Sequence, residues 1–232
     1  HGFSIEKLFE ALTSQGLNVE RKYGSSTAAV AALHDGACDA AGFHLPIGPL
    51  QDAALAHYWR WLDGDDLQVI DIATRRQGLM VAPGNPKKVY DLADLTRDDV
   101  RFINRQAGSG TRFLLESMLA VQDIDSNRIA GFEQGEFTHA AVAAFVASGM
   151  ADVGFGLETP ARHFHLDFTP LANERSFLLC HTTLSLPVMQ TVLDTLRSEP
   201  YRAAVDALPG YNAVHCGRVT AWNEAFGAAP EA

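Results

Sequence analysis

Short apolar runs alternate along this chain with segments whose apolar residues recur every three or four positions, and glycine- or proline-containing turns separate the two kinds of segment. The first periodic segment carries Ile5, Leu8, Phe9 and Leu12, which predicts an amphipathic helix with Ser4 as its N-cap. Apolar runs that alternate with amphipathic helices indicate an α/β fold with parallel-rich sheets flanked by helices.

The apolar runs predict strands that are short and well separated along the chain. The strands predicted are residues 18–23, 38–44, 67–73, 79–82, 100–104, 129–133, 153–157, 168–171 and 177–180. The segment from Val219 to Ala232 is poor in apolar residues, which predicts a loosely held tail.

The order of these elements indicates two lobes. Extended segments near residues 73–80 and 172–181 are the two places where the chain can cross from one lobe to the other. We therefore expect residues 1–76 and 179–232 to form lobe 1, and residues 77–178 to form lobe 2. An α/β domain normally has a strand before its first helix, so the immediate start at a helix leads us to expect a further module upstream.

Composition narrows the range of functions. The chain has 232 residues, and its formal net charge of −10 makes it a poor candidate for gripping a phosphate backbone by itself. No apolar run is long enough for a membrane helix. Cys38, Cys180 and Cys216 are too few and too far apart for a disulfide framework, which favours free thiols and a cytoplasmic location.

Four predicted strand-to-helix turns are rich in glycine and hydroxyl residues: residues 2–4, 24–27, 108–111 and 135–138. A helix N-terminus presents unpaired N–H groups and a partial positive charge, and Ser or Thr adds a hydroxyl donor. In open α/β sheets such turns gather at the carboxyl ends of the strands, where ligands bind. The four turns together predict a pocket for a small anion, although each one alone is better explained as an ordinary helix cap.

Two arginines flank the third turn. Arg105 and Arg112 could each pair with a carboxylate or a phosphate in bidentate fashion. Arg112 lies just inside the predicted helix, where it could instead point to solvent or bind a neighbouring acid. Arg75 and Arg76 lie at a predicted crossing, and a salt bridge between the lobes is their expected role.

No motif for catalysis, metal binding or nucleotide binding is present. The sequence has no Gly-x-x-x-x-Gly-Lys-Ser/Thr loop, no complete Gly-x-Gly-x-x-Gly, no His-Glu-x-x-His, no Cys-x-x-Cys and no Gly-x-Ser-x-Gly. His139 begins a predicted helix and either donates to an anion or is structural, and His44 ends a predicted strand. We expect a non-enzymatic protein without a metal or cofactor.

Several motifs resemble one known family when they are taken in order. They are GLMVAPGNP (residues 78–86), RFINRQAGSGTR (101–112), THAAVAAFVASGMADVGFGLE (138–158), LDFTPLANE (166–174) and ALPGYN (207–212). Together they closely resemble the PBP-like domain of the type 2 periplasmic-binding-protein superfamily, over nearly the whole chain. Members of that family are usually fused to a DNA-binding module or to molybdopterin-biosynthesis domains, and are thought to sense molybdate or related ligands.

The resemblance implies a two-lobed clamp with two crossover segments and a ligand between the lobes. By position, it implies ligand contacts from Ser4, Ser26 and Thr27 of lobe 1, and from Ser109, Gly110, Thr111, Thr138 and His139 of lobe 2. Arg112 joins this set as a further anion contact.

The expected function is therefore the effector-binding domain of a transcriptional regulator, which senses molybdate or tungstate first and a formate-like carboxylate second. DNA would be bound only through a missing N-terminal module, and a homodimer is the expectation for a regulator. The alternatives are a solute-binding protein of an ABC transporter and an accessory domain of a molybdenum-cofactor biosynthesis protein.

Overall fold

The computed structural model describes residues 2–62, 66–183 and 186–227. The chain divides into two compact units: unit 1 comprises residues 1–74 and 175–232, and unit 2 comprises residues 75–174. Both boundaries lie on the two extended segments predicted as crossings, a few residues before the boundaries expected from the sequence.

Unit 1 combines helices and strands. Its elements are α1 (Phe3–Ser14), α2 (Ser26–His34), β1 (Ala40–Pro46), α3 (Gln51–Ala56), a 3-10 turn (Trp59–Trp61), the first half of β2 (Leu67–Val81), the second half of β6 (Asp167–His181), α7 (Leu186–Arg197), α8 (Glu199–Asp206), β7 (Tyr211–Asn212), β8 (Val219–Ala221) and α9 (Trp222–Phe226). Strand β6 pairs with β1 and with β2, and the short strands β7 and β8 also pair with β2.

Unit 2 is a smaller α/β unit. Its elements are the second half of β2, a 3-10 turn (Ala93–Thr96), β3 (Phe102–Arg105), α4 (Gly110–Val121), a 3-10 turn (Ser126–Arg128), β4 (Gly135–Glu136), α5 (His139–Ala147), β5 (Val153–Leu157), α6 (Glu158–His163) and the first half of β6. The sheet is mixed: β3 is parallel to both β4 and β5, whereas β5 is antiparallel to β2.

The two crossing strands are longer than the sequence pattern predicts. The expected pairs of short strands, at residues 67–73 and 79–82 and at residues 168–171 and 177–180, are wrong, because β2 and β6 each run unbroken for 15 residues. Polar side chains interrupt the apolar pattern where the strands cross the unit boundary. Arg75 and Glu174 are nevertheless buried there, since they form an ion pair with each other.

Helix α1 corrects the predicted role of Ser4. The helix begins two residues earlier than a cap at Ser4 predicts, at Phe3, and Gly2 is its N-cap with no side-chain cap bond. Ser4 is only 2% exposed, and its carbonyl oxygen accepts a hydrogen bond of 2.9 Å from the Tyr201 hydroxyl of α8. Ser4 is therefore part of the helix packing of unit 1 and not a cap.

The predicted loose tail is also wrong as far as residue 227. Strand β8 pairs with β2, with Val69 opposite Thr220, and α9 follows directly. The Trp222 side chain is 1% exposed and packs against Phe43 and Phe226, with ring centroids 6.1 Å and 4.7 Å away. One large aromatic residue thus anchors a segment that is otherwise poor in apolar side chains.

Two predicted strands are absent among the described residues. Residues 18–23 have no regular structure, and most of their side chains are exposed. Residues 129–133 form turns, because Phe132 N–H bonds to the Ile129 carbonyl and Gly131 takes a positive φ of 92°. A side chain at Gly131 would collide with the backbone of Phe102, so this turn requires glycine. The strand that pairs with β3 is instead β4, a few residues later.

Candidate anion-binding site

Unit 2 brings two of the four predicted turns together. Strands β3 and β4 are parallel, with Arg105 opposite Glu136, so the turns that follow them leave the same edge of the sheet. Beyond the strands, Gln106 N–H bonds to the Glu136 carbonyl at 3.0 Å. A Cβ atom at Gly135 would lie 2.9 Å from Gln106 Cα, so the absence of a side chain permits this close approach. The turns that start α4 and α5 therefore lie side by side.

Both helices begin with the hydroxyl caps that the sequence predicts. The Ser109 side chain accepts from Arg112 N–H at 3.2 Å, and the Thr138 side chain accepts from Ala141 N–H at 3.0 Å. A single cap leaves most of the first N–H groups of each helix without an intrahelical partner. Helices of 12 and 9 residues also carry partial positive charge at these ends. The edge of unit 2 thus presents two neighbouring helix starts that favour an anion.

The other predicted contacts of unit 2 differ in accessibility. Gly110 is exposed, and a Cβ atom placed there would meet nothing within 4 Å, so a ligand has room to approach its backbone. Thr111 is 4% exposed and belongs to the packed side of α4. His139 is 7% exposed, and its Nδ1 lies 2.9 Å from where a Gly156 Cβ would be, so the ring packs onto the backbone of β5. This packing favours the structural interpretation of His139.

The structure distinguishes the two arginines that flank the turn. Arg112 donates from Nε to Glu116 at 2.8 Å and from Nη2 to both carboxylate oxygens of Glu133 at 3.0 and 2.9 Å. Its guanidinium also lies 4.9 Å from the centre of the Phe132 ring. Arg112 therefore binds neighbouring acids, which is the alternative that the sequence left open.

Arg105 is in a different situation. It is 7% exposed, and it donates from Nε to the Glu136 carbonyl at 3.1 Å and from Nη2 to the Phe137 carbonyl at 2.8 Å. Within the described ranges no ion pair joins this guanidinium to a carboxylate. Burial, and next the positive charge of Arg75, lower the pKa of Arg105 to about 10. The turn before Thr138 thus holds a buried cation whose charge is not neutralised by an acid among the described residues.

Unit 1 contains the remaining predicted contacts. The N-cap of α2 is Ser25, whose side chain accepts from Ala28 N–H at 3.1 Å, whereas the predicted ligand contacts are the next two residues, Ser26 and Thr27. Ser26 is half-buried, with its Oγ 3.4 Å from Nδ1 of His44 on β1, and Thr27 is also half-buried in the first turn of α2. The sequence signal that could have identified Ser25 as the cap is its hydroxyl, three residues before Ala28, the first alanine of the helix. A common ligand for Ser4, Ser26 and the unit 2 residues stays a prediction.

The salt bridges expected of Arg75 and Arg76 exist, but both stay within unit 2. Arg75 pairs with Glu174 at 2.9 Å, and Arg76 pairs with Glu158 at 2.7 Å. Both partners belong to residues 75–174, so the expected bridge between lobes is wrong for these two pairs.

The structure also bears on metal binding, on the cysteine thiols and on membrane-spanning helices, within the part of the chain that it describes. No group of three or more His, Cys, Asp or Glu side chains there is placed to hold a metal ion. All three cysteines are free thiols, as predicted, and burial raises the pKa of Cys180 to about 11 and of Cys216 to about 12. Over the same residues, no helix combines the length and apolar character that a bilayer crossing requires.

Comparison with known proteins agrees with this architecture. A family model described as a PBP superfamily domain matches residues 9–197. The Bacillus subtilis protein YvgK is 32% identical over 199 residues, which are 86% of this chain and 64% of YvgK, so the chain spans less than two thirds of that relative.

Solved structures show the same fold at low sequence identity. An ABC-type phosphate transport receptor from Vibrio cholerae superimposes with a TM-score of 0.60 at 14% identity, covering 90% of this chain and 94% of the receptor. The effector-binding domain of QuiR in complex with shikimate superimposes with a TM-score of 0.56 at 14% identity, covering 84% of this chain and 88% of the QuiR domain. Both a transport receptor and an effector-binding domain therefore share this periplasmic-binding-protein-like fold.

Proposed function

We propose that this chain, which belongs to the PBP superfamily of ligand-binding domains, is the effector-binding domain of a transcriptional regulator that senses a small oxyanion. Molybdate or tungstate is the favoured ligand, and a formate-like carboxylate is the second choice. The domain is non-enzymatic and cytoplasmic in this proposal, and DNA binding belongs to a module outside the chain. The resemblance of the sequence motifs and the fold of the QuiR effector-binding domain support it.

The buried guanidinium of Arg105 carries the anion part of the proposal. Burying a cation without a carboxylate partner is unfavourable, and the carbonyls of Glu136 and Phe137 only partly offset the lost hydration. A bound anion would supply the missing negative charge at the place where the Ser109 and Thr138 turns meet. An oxyanion has several acceptor oxygens, which suits a guanidinium together with backbone N–H groups and hydroxyls.

A solute-binding protein for an ABC transporter is the second candidate, because the phosphate transport receptor from Vibrio cholerae shares the fold. The same anion site would serve both roles. The amino-acid sequence that precedes residue 1 in the full protein distinguishes them: a DNA-binding helix pair supports the regulator, and an export signal supports the transporter.

Titration calorimetry on ligand-free chain tests the anion site. Molybdate, tungstate, phosphate, sulfate and formate are each titrated at one ionic strength, and we expect saturable binding of at least one of them. R105Q removes the charge, and loss of a hydrogen bond to a charged group predicts an affinity lower by about 10- to 100-fold. R101Q is the matched control. Arg101 immediately precedes β3 and pairs with Asp152, whereas Arg105 is the last residue of β3.

Two results would contradict the proposal. The first is the absence of binding heat with all five anions. The second is equal affinity of R105Q and the unmodified chain for an anion that does bind. S26A extends the test to unit 1: a loss of affinity would support a shared ligand, and an unchanged affinity would contradict a role for that hydroxyl.

A further inference from the structure

The proposed anion site has an exposed aromatic side chain beside it. Phe137 lies between β4 and α5, directly before the cap residue Thr138, and it is 73% exposed. Its backbone is fixed at the site, because the Phe137 carbonyl accepts a hydrogen bond of 2.8 Å from Nη2 of Arg105. Only Cα and Cβ separate the ring from that carbonyl group. The ring is therefore held close to the buried guanidinium while most of its surface remains accessible.

Position, and not exposure alone, distinguishes Phe137. Isolated exposed apolar side chains are common on proteins, and Val121 of unit 2 is 72% exposed. Val121 is the last residue of α4, however, at the opposite end of that helix from the Ser109 cap. Among the described residues, the Phe137 ring stacks neither on another aromatic ring nor on a guanidinium. Its apolar face is thus available to a ligand.

The neighbouring turn leaves room for a ligand larger than a simple oxyanion. Gly110 is exposed, and a Cβ atom placed there would meet nothing within 4 Å. A guanidinium and helix N–H groups suit an anionic group, whereas an aromatic ring offers an apolar face for stacking. Binding sites for small molecules typically combine a few orienting polar groups with apolar and aromatic contacts. The combination fits a carboxylate that is attached to a flat apolar group.

We propose that Phe137 selects, among carboxylates, those that carry an aromatic or similarly flat apolar group. The inference rests on the proposed anion site and names a specificity-determining residue for it. The carboxylate lies beside Arg105, and the apolar group of the ligand lies against the Phe137 ring. A formate-like ion makes only the first of these contacts. Apolar burial and aromatic stacking then add affinity that charge alone does not supply.

Titration calorimetry of the 232-residue chain with formate, cyclohexanecarboxylate and benzoate tests the inference at one pH and one ionic strength. The three ions carry the same charge and differ in their apolar part. Benzoate should bind about tenfold more tightly than formate, because it covers one face of the Phe137 ring. Cyclohexanecarboxylate should lie between them, since it buries apolar surface but lacks a ring that stacks.

Variants assign the preference to the ring. F137A should lower the ratio of benzoate affinity to formate affinity by about three- to tenfold, and F137Y, which keeps the ring, should restore it. V121A is the matched control, because it removes an apolar side chain of similar exposure at the far end of α4, and it should leave the ratio unchanged. R105Q should weaken the binding of benzoate and of formate. Denaturant unfolding establishes first that each variant is folded.

Three results would overturn the inference while an anion still binds the unmodified chain. They are equal affinities for benzoate and formate, an unchanged ratio in F137A, and an unchanged benzoate affinity in R105Q, which would place benzoate elsewhere. Binding of molybdate or phosphate without binding of any carboxylate would also overturn it and leave the proposed function intact. No binding of any anion would contradict the proposed function, and this inference with it.

The other possible occupant of the Phe137 face is a second copy of the chain. Sedimentation of the ligand-free chain and of F137A, each over a range of concentrations, distinguishes this case. Equal association behaviour of the two chains supports a ligand contact. Self-association that F137A abolishes would instead assign the ring to a contact between chains and would overturn the inference.

Discussion

Replacing Arg105 with methionine should leave the free energy of unfolding of the chain nearly unchanged. Burial and Arg75 lower the pKa of Arg105 to about 10. Because a shift of one pKa unit corresponds to about 1.4 kcal/mol, this lowering of the pKa amounts to a charge-burial cost of about 3 kcal/mol. R105M relieves that cost but loses two hydrogen bonds that a charged group donates to carbonyls, worth about 1.5 kcal/mol each at the lower end of their range. The two effects nearly cancel, so the free energy of unfolding should stay within about 1 kcal/mol of that of the unmodified chain.

R75M is the informative comparison because it removes an arginine of similar burial that does have an acid partner. Loss of Arg75 leaves Glu174 buried without its cation, which should cost about 3 to 5 kcal/mol. The two variants should therefore differ in stability by about 3 to 5 kcal/mol, because R105M is expected to change the free energy of unfolding little. Denaturant unfolding at neutral pH, in buffer without oxyanions, measures both values.

The pH dependence follows from the sign of the pKa change. The pKa of Arg105 is lower in the folded chain than in the unfolded chain, so the unfavourable contribution is fully present below about pH 10 and is relieved as the pH rises above that value. The stability difference between R105M and the unmodified chain should stay constant from about pH 6 to about pH 9. A loss of 2 kcal/mol or more in R105M would refute the reasoning, since it would mean that the guanidinium is compensated in the absence of an anion.

Three further predictions concern unit 1, and the first of them uses a control position in unit 2. W222A should lower the free energy of unfolding by about 3 to 5 kcal/mol, whereas Y90A, at a 60% exposed position, should change it by less than about 0.5 kcal/mol in the same denaturation assay. S25A should cost about 1 kcal/mol because it removes the cap of α2, and S26A should cost less; equal losses would contradict the cap assignment. A thiol reagent should label Cys38 in the native chain and all three cysteines after denaturation, and native labelling of more than one thiol would contradict the burial of the other two.

Local sequence signals were sufficient where short-range interactions decide the structure. The strand Val153–Leu157 has the predicted bounds, because a run of buried residues in the middle of a sheet is apolar throughout. Ser109 and Thr138 are the caps of α4 and α5, since a cap depends only on a hydroxyl and the next three residues.

The remaining features depend on partners far away in the chain. Residues 74–78 interrupt an apolar pattern and predict a break in β2, yet Glu174, 99 positions from Arg75, makes the polar strand favourable to bury. The distinction between Arg105 and Arg112 likewise required tertiary contacts. Glu133 lies 21 positions from Arg112, and nothing in the sequence shows which arginine it binds.

Trp222 shows the same effect for the core. The segment that contains it is too polar on average to predict burial, but its ring packs against Phe43, nearly 180 residues earlier. The average hydrophobicity of a sequence window does not reveal that a single aromatic residue within it packs into the core.

The most direct test of the anion site is a crystal structure of the chain grown with tungstate, with diffraction data collected near the tungsten absorption edge. The account predicts one strong anomalous peak at the edge of unit 2, within hydrogen-bonding distance of the Arg105 guanidinium and of backbone N–H groups at the starts of α4 and α5. Tungstate bound only elsewhere, with no anomalous density beside Arg105, would contradict it.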